Sequence, residues 1–316
     1  MLSRVAESIY WMSRQVERAE NHARFLEVTL HMILDQPENM VDPWEPLVRV
    51  TGDNEWYEEH YATIDAHSVV TFLAFDLNYH SSMLTCLRAA RENAKSVRES
   101  LSTEVFEELN DFYHFVNDST AAQLTDPTAE FFDQVRKHAL MWTGIIDSTM
   151  THDLRWHFLN VGRLLERADK TSRILDVKYF NLLPRLEDVG TVVDELQWSE
   201  LLAAISGFEA YRREHQVISV KKVIEFFLFH PEFPRSIRSC VAGADWSLRQ
   251  IEKTSCTHTL RDAPKQVAAL RHRLAHTSVK EVIAGGMHEF IDMIQVELNA
   301  ASASLHQDYF NSPVNA

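Results

Sequence analysis

Glycine and proline are scarce, with 8 and 9 among 316 residues; glycine stands at roughly a third of its usual share of about 7%. Sandwiches, barrels and doubly wound sheets need many tight reversals, so the shortage argues against them and for long helices. Neither Gly-x-Gly-x-x-Gly nor Gly-x-x-x-x-Gly-Lys occurs, which removes the two common glycine-loop phosphate cradles. Cysteine is nearly absent too. Cys86, Cys240 and Cys256 are odd in number and show no Cys-x-x-Cys spacing, which fits a reduced, cytoplasmic compartment rather than a disulfide framework. The N-terminal stretch carries Arg4, Glu7 and Arg14 among its apolar residues and reads as no signal peptide. No apolar run reaches the roughly 20 residues of a membrane span.

Positive charge is the minority sign: 31 Lys and Arg face 46 Asp and Glu, a formal net charge of −15. Unaided binding to nucleic acid or an anionic membrane is therefore not expected. The 16 histidines make the charge strongly pH-dependent below about pH 6.

What is present is helical periodicity. Ile9, Met12, Val16, Ala19, Ala23, Leu26, Leu30 and Ile33 follow a 3-4-3-4 spacing after Ser3, a plausible N-cap. They predict one helix of about 45 Å with a packed seam. Pro37, Pro43 and Pro46 mark the longest expected loop. Further helices are predicted near 63–100, 103–120, 128–150, 152–182, 192–213, 219–229, 235–254, 262–283 and 286–308. Asp126-Pro127 reads as an N-cap followed by proline at the first helical position.

The chain also resembles itself. Arg14-x-x-Glu17-Arg18-Ala19-Glu20-x-x-x-Arg24-x-Leu26 recurs 149 positions later as Arg163-x-x-Glu166-Arg167-Ala168-Asp169-x-x-x-Arg173-x-Leu175. The seam recurs as Phe158, Val161, Leu165, Ala168, Leu175 and Leu182. A weaker match, offset by 154, aligns Phe72, Phe75, Tyr79, Ser82 and Cys86 with Phe226, Phe229, Phe233, Ser236 and Cys240. Two matches in the same order argue for a tandem duplication. The expected fold is an all-α long-helix bundle of two related halves, 1–150 and 151–316, packed into one body.

In the first box Arg14, Glu17, Asn21 and Arg24 lie opposite the seam; in the second, Arg163, Glu166, Lys170 and Arg173 hold that face. Spacing allows Arg14–Glu17, Glu20–Arg24, Arg163–Glu166 and Asp169–Arg173 pairs within each helix. A solvated face is the bland reading. Retention of the pattern in both halves favours a buried structural network first and a charged-ligand site second.

These residues carry a resemblance to a known family. Met1-Leu2-Ser3-Arg4 through Tyr10-Trp11, and the box that follows, are similar to the alpha-E family, a bacterial all-helical domain of unknown function named for its Glu-Arg motif. The likeness runs over nearly the whole chain. It continues in Arg91-Glu92-Asn93-Ala94-x-x-x-Arg98, in Gly162-Arg163-x-x-Glu166-Arg167-Ala168-Asp169, and in Phe233-Pro234-Arg235-Ser236. Family members often carry Asn-Pro-x-Ser where this chain has Tyr79-His80-Ser81-Ser82. The resemblance implies neighbours of two kinds, an ATP-grasp protein and a transglutaminase-like protein, and hence a role in peptide synthesis or modification. Any ATP-dependent step would then belong to the partner.

The candidate ligand or partner surface comprises Arg14, Glu17, Arg18, Asn21, Arg24, Arg91, Glu92, Asn93, Arg98, Arg163, Glu166, Arg167, Asp169 and Arg173. Arginines there would hold carboxylates or phosphates, and glutamates would orient them or bind an amine. Two alternatives stay open: an enzyme with Glu17 or Glu166 as acid/base, and a scaffold whose boxes only lock helices. No cofactor is called for. His272-x-x-x-His276 has metal-ligand spacing but reads as a solvated pair. Asp111-Phe112-Tyr113-His114 is the nearest approach to the Glu-x-x-His motif of di-iron bundles, which is absent. Cys86 and Cys240 read as small core residues, and Cys256 is the better thiol candidate. Most of Trp11, Trp156, Trp198 and Trp246 are expected in helix packing.

Overall fold

A computed structural model describes residues 2–35, 44–181, 192–254 and 261–311. Fifteen α-helices and no strand occur among the described residues. In the first half they are α1 (Ser3–Asp35), α2 (Glu45–Thr51), α3 (Asn54–His60), α4 (Ala66–Val70), α5 (Met83–Ser96), α6 (Thr103–Thr125) and α7 (Ala129–Thr149). The second half holds α8 (Leu154–Asn181), α9 (Val192–Ala204), α10 (Phe208–Glu214), α11 (Val220–Phe229), α12 (Ile237–Lys253), α13 (Asp262–His276), α14 (Val279–Gly285) and α15 (Met287–Leu305). Single π turns follow α4 at Thr71–Phe75 and α15 at His306–Phe310.

The predicted seams form. Ile9, Met12, Val16, Ala19, Ala23 and Leu26 are buried, as are Phe158, Val161, Leu165, Ala168 and Leu175; Leu182 lies outside the described residues. The two long helices α1 and α8 pack on each other, and each carries its own set of neighbours. Helix α1 packs on α5 and α7, with α6 joining those two; α8 packs on α12 and α15, with α13 joining them. Short helices cross over: α2 packs on α8, and α9 on α1. One continuous apolar core runs through both halves.

Helices surrounded in this way have no solvated face to keep. Arg14, Glu17, Glu20, Asn21 and Arg24 are all buried, together with Glu166, Arg167, Asp169 and Lys170. A stripe opposite the seam is exposed only where one side of a helix lacks a partner. Here both sides are covered, and the bland expectation fails.

Several predicted boundaries shift for local reasons. The stretch predicted over 63–100 is interrupted between Asp76 and Ser82. There Asp76 Oδ1 accepts the Asn78 N–H (2.8 Å) and Ser82 caps α5 by accepting from Thr85 (3.2 Å). The Ser278–Glu281 capping box splits 262–283, and Ser206, at φ +53°, ends α9 inside 192–213. Thr128, not Asp126, caps α7 by accepting from Phe131. Leu2 O, rather than a Ser3 side chain, accepts the first amides of α1. Pro46 starts α2 instead of lying in a loop, since a proline in the first helical turn forfeits no hydrogen bond; Pro37 and Pro43 lie outside the described residues.

Candidate functional site

The Glu-Arg boxes meet where α1 crosses α8. Close approach is set by small residues: a Cβ on Gly162 would fall 2.5 Å from Tyr10 O and 2.4 Å from Ser13 Oγ. Ser13 and Gly162 occupy matching positions of the two boxes, so the helices touch at equivalent points.

Around that contact the boxes pair reciprocally. Arg167 of α8 grips Glu17 of α1, Nε to Oε1 at 2.8 Å and Nη2 to Oε2 at 2.7 Å. Arg18 of α1 grips Glu166 of α8, Nε to Oε1 at 2.7 Å and Nη2 to Oε2 at 3.2 Å. Reciprocity extends outward. Arg24 donates to Ser206 of the loop after α9 (2.6 Å), while Arg173 donates to the Thr51 carbonyl beside Gly52 after α2 (3.3 Å). Both loops carry a left-handed residue, Ser206 at φ +53° and Gly52 at φ +77°. Glu27 is bound by Arg136 of α7, and Asp176 by His288 of α15. Tyr57 donates to Thr63 O (2.9 Å) and stacks edge-on against Phe72; Tyr211 donates to Val217 O (3.2 Å) and meets Phe226 in the same way.

The reciprocity breaks at two matched positions. Glu17 also receives Asn21 Nδ2 (3.2 Å) and Arg235 Nη1 (3.1 Å). Glu166 receives Arg14 Nε (2.8 Å) and has Lys170 Nζ at 3.9 Å. Lys170 stands where the first box has Asn21, and Arg235 stands where the weaker match has Ser81. Each glutamate thus has an added cation near it, supplied from a different place in the chain.

Of the helix-internal pairs expected from spacing, Glu20–Arg24 (2.6 Å) and Asp169–Arg173 (2.9 Å) form. Arg14–Glu17 and Arg163–Glu166 do not. Arg14 reaches Glu166 instead, with Tyr10 and Ser302 on its Nη1, and Arg163 turns to Asn160 (2.8 Å) and Asp147 (3.9 Å). A bidentate pair across a buried interface outcompetes a single contact along one helix.

Electrostatics fix the charge states. Burial pushes the Glu17 carboxyl up, but Arg167 and Arg235 outweigh it and hold it below the ordinary value. Glu166 sits well below for the same reason, with Arg18, Arg14 and Lys170 overcoming burial. Arg18 and Arg167 are held protonated against burial by Glu166 and Glu17. His22, buried and hydrogen-bonded to Leu73 O at 3.2 Å, is driven down to about 3 by burial and then by Lys170 and Arg18. A carboxylate held ionised between guanidinium groups is a poor proton acceptor near neutrality.

The remaining candidates are dispersed. Arg91 donates to Asn110 (2.7 Å) and lies over the Tyr113 ring; Arg98 lies over Phe106 and reaches Thr103. Glu92 pairs with Lys95 on an exposed face, and Asn93 is half-buried. This second group packs against α6, and among the described residues no contact joins it to the boxes. Arg235, Glu20 and Lys170 complete the network. Arg235 was visible only inside the Phe-Pro-Arg-Ser run, with no spacing that tied it to Glu17.

His272 and His276 are exposed, with ring centroids 4.0 Å apart. Among the described residues no three His, Cys, Asp or Glu side chains gather as a metal site. Cys86 and Cys240 are buried, and burial raises each thiol to about 12; Cys256 lies outside the described residues. Trp156 and Trp198 are buried and Trp11 partly so, whereas Trp246 is half exposed. No described helix is long and apolar enough to cross a membrane.

Residues 1–310 match the model of a family described as "a predicted alpha-helical domain with a conserved ER motif". Uncharacterized proteins of Mycobacterium bovis and Mycobacterium tuberculosis are each 24% identical to this chain over 254 residues, covering 74% of it. The match takes up 28% of each relative, so the chain spans under a third of their length. No solved structure matches the chain.

Proposed function

The chain belongs to the Alpha-E family, and from that premise we propose that it is a rigid, non-catalytic component of a peptide-synthesising or peptide-modifying system. In this reading it handles substrate or docks partners, and an ATP-grasp protein and a transglutaminase-like protein perform the bond chemistry. The observation that carries the non-catalytic part is the state of the ER motif. Glu17 and Glu166 are each held by at least two cationic side chains and kept ionised, with no proton to give and little tendency to take one. The lack of a glycine phosphate loop supports leaving the nucleotide step to a partner. The longer mycobacterial relatives support a region that works beside other polypeptide.

The two halves, 1–150 and 151–316, descend in this reading from one ancestral helical unit that was duplicated in tandem. Support comes from the reciprocal Glu17–Arg167 and Glu166–Arg18 clamps and the matched Arg24–Ser206 and Arg173–Thr51 contacts.

The test is reconstitution with the ATP-grasp protein encoded nearest to it. ATP consumption and peptide-bond formation are followed with each protein alone and with both together. The expected result is no turnover by this chain alone and a changed rate or product when it is added to the partner. Turnover by this chain alone would favour the enzyme reading, in which Glu17 or Glu166 acts as acid/base.

A further inference from the structure

The charges at the crossing do not balance. Four carboxylates, Glu17, Glu20, Glu166 and Asp169, are paired with seven cations, Arg14, Arg18, Arg24, Arg167, Lys170, Arg173 and Arg235. Surplus positive charge in the interior is costly without a counter-ion, and it stands out in a protein of net charge −15.

The shortage of anions is felt at Arg24. Its carboxylate, Glu20, is shared: Oε1 alone accepts Arg24 Nε (3.0 Å), Arg24 Nη2 (2.6 Å) and Arg235 Nη2 (2.5 Å). Burial and the nearby Arg235 push Arg24 down to about 10, whereas Arg18 and Arg167 are raised. With one N–H to Ser206 and two to Glu20, two of its five donors remain.

Arg24 also lines a cleft. This space of about 330 Å³ lies between α1, α7 and α9, at the small end of the range for ligand pockets. Val28, Leu196, Ala203 and Ala204 supply the apolar part of the lining that Arg24 shares, and His31 lies on it as well. Leu196 is 41% exposed, an aliphatic side chain with no full cover. Arg136, paired with Glu27 at 3.0 Å, and Glu200 are on the lining too, so its fixed charges are near balance and offer a dianion such as phosphate no second surplus cation.

We propose that this cleft binds an amino-acid-sized monocarboxylate carried on an aliphatic stem, with Arg24 holding the carboxylate and Val28, Leu196 and Ala203 holding the stem. A guanidinium fork matches a carboxylate in geometry, and the apolar part of the lining gives the remainder of the ligand a place out of water. The ligand supplies an anion where the buried network lacks one. This site stands apart from the ATP-grasp reading, since it needs no partner protein.

The experiment is calorimetric titration of the purified full chain with N-acetyl-leucine, N-acetyl-leucinamide and inorganic phosphate. N-acetyl-leucine is expected to bind at least tenfold more tightly than either of the other probes. Ala203→Trp, which fills the cleft from an exposed helical position, is expected to weaken it at least tenfold at an unchanged melting temperature. Leu196→Asp, also at an exposed position, is expected to do the same by charge. Equal binding of the amide or of phosphate, no binding of any probe, or undiminished binding by both folded variants would overturn the proposal.

Discussion

Replacing Glu166 by glutamine tests the network at its most buried carboxylate. Glu166 is fully buried, and its two oxygens take three guanidinium hydrogen bonds, from Arg14 (2.8 Å) and Arg18 (2.7 and 3.2 Å), with Lys170 nearby at 3.9 Å. Glutamine keeps the shape, removes the charge and turns one acceptor into an NH₂ that faces other donors. Three cations are then left with less counter-charge, a situation that costs about 3–5 kcal/mol for a broken buried pair. In a chain of 316 residues that corresponds to a fall in melting temperature of about 5–8 °C. The assay is urea unfolding followed by both near- and far-ultraviolet circular dichroism, at pH 7 and again toward pH 3. Because the folded carboxyl lies below its unfolded value, its contribution is full above about pH 4.3 and is lost as the pH falls through the folded value. The gap between wild type and variant should therefore narrow in acid. Glu17→Gln should cost the same within about 1 kcal/mol, since Glu17 is gripped in the reciprocal way by Arg167 and Arg235. A loss below about 1 kcal/mol for Glu166→Gln, or a gap that does not depend on pH, would refute the reasoning.

Gly162→Ala should destabilise by about 1–3 kcal/mol despite alanine's better helix propensity, because its Cβ would meet Tyr10 O at 2.5 Å; Gly144→Ala, with open space around it, should stabilise by about 0.5–1 kcal/mol. Chemical denaturation of the two variants side by side is the measurement. His22 is neutral in the fold, held down to about 3 by burial, Lys170 and Arg18. Stability should therefore be full above about pH 6.5 and decline by up to about 1.4 kcal/mol per pH unit below it, a slope that His22→Gln should lessen. Native protein treated with a thiol reagent at pH 8 should leave Cys86 and Cys240 unmodified, and both should react after unfolding; rapid native labelling of either would contradict their burial.

The long helices were legible because one physical signal, an apolar residue every three or four positions, persists over some thirty residues of α1 and α8. Boundaries were less so. Ends such as Asp76–Ser82 and Thr128 are decided by one side chain accepting one amide, and many serines and threonines offer that bond without making it. The site was half legible. Spacing along a helix names residues that can meet within it, and Glu20–Arg24 and Asp169–Arg173 were found that way. It is silent about Glu17–Arg167 and Arg18–Glu166, whose partners lie about 150 positions apart. The Arg91–Arg98 group joins the candidate surface through the family resemblance, with no spacing that ties it to the boxes. Their contacts, with Asn110, Tyr113, Thr103 and Phe106, are helix-to-helix packing.

A charged crossing does something that an apolar one of equal stability would not. Leucines in place of the Glu-Arg pairs would bury surface without direction, and sliding α1 past α8 by one turn, about 5.4 Å, would cost them little. Each paired guanidinium and carboxylate must instead be coplanar and within 3.2 Å, so a slip of one turn breaks both clamps together. The exchange of Asn21 and Ser81 in one half for Lys170 and Arg235 elsewhere fits this view. Each glutamate has an added cation beside it, drawn from a different place in the chain, as expected if register is what the motif protects. Arg24, which shares Glu20 with Arg235 of this network, also ties α1 to the end of α9 through Ser206 (2.6 Å), beside the cleft. Stability, register and the candidate binding cleft are therefore linked through one network, and variants that loosen Glu17 should weaken carboxylate binding even though Glu17 does not line the cleft.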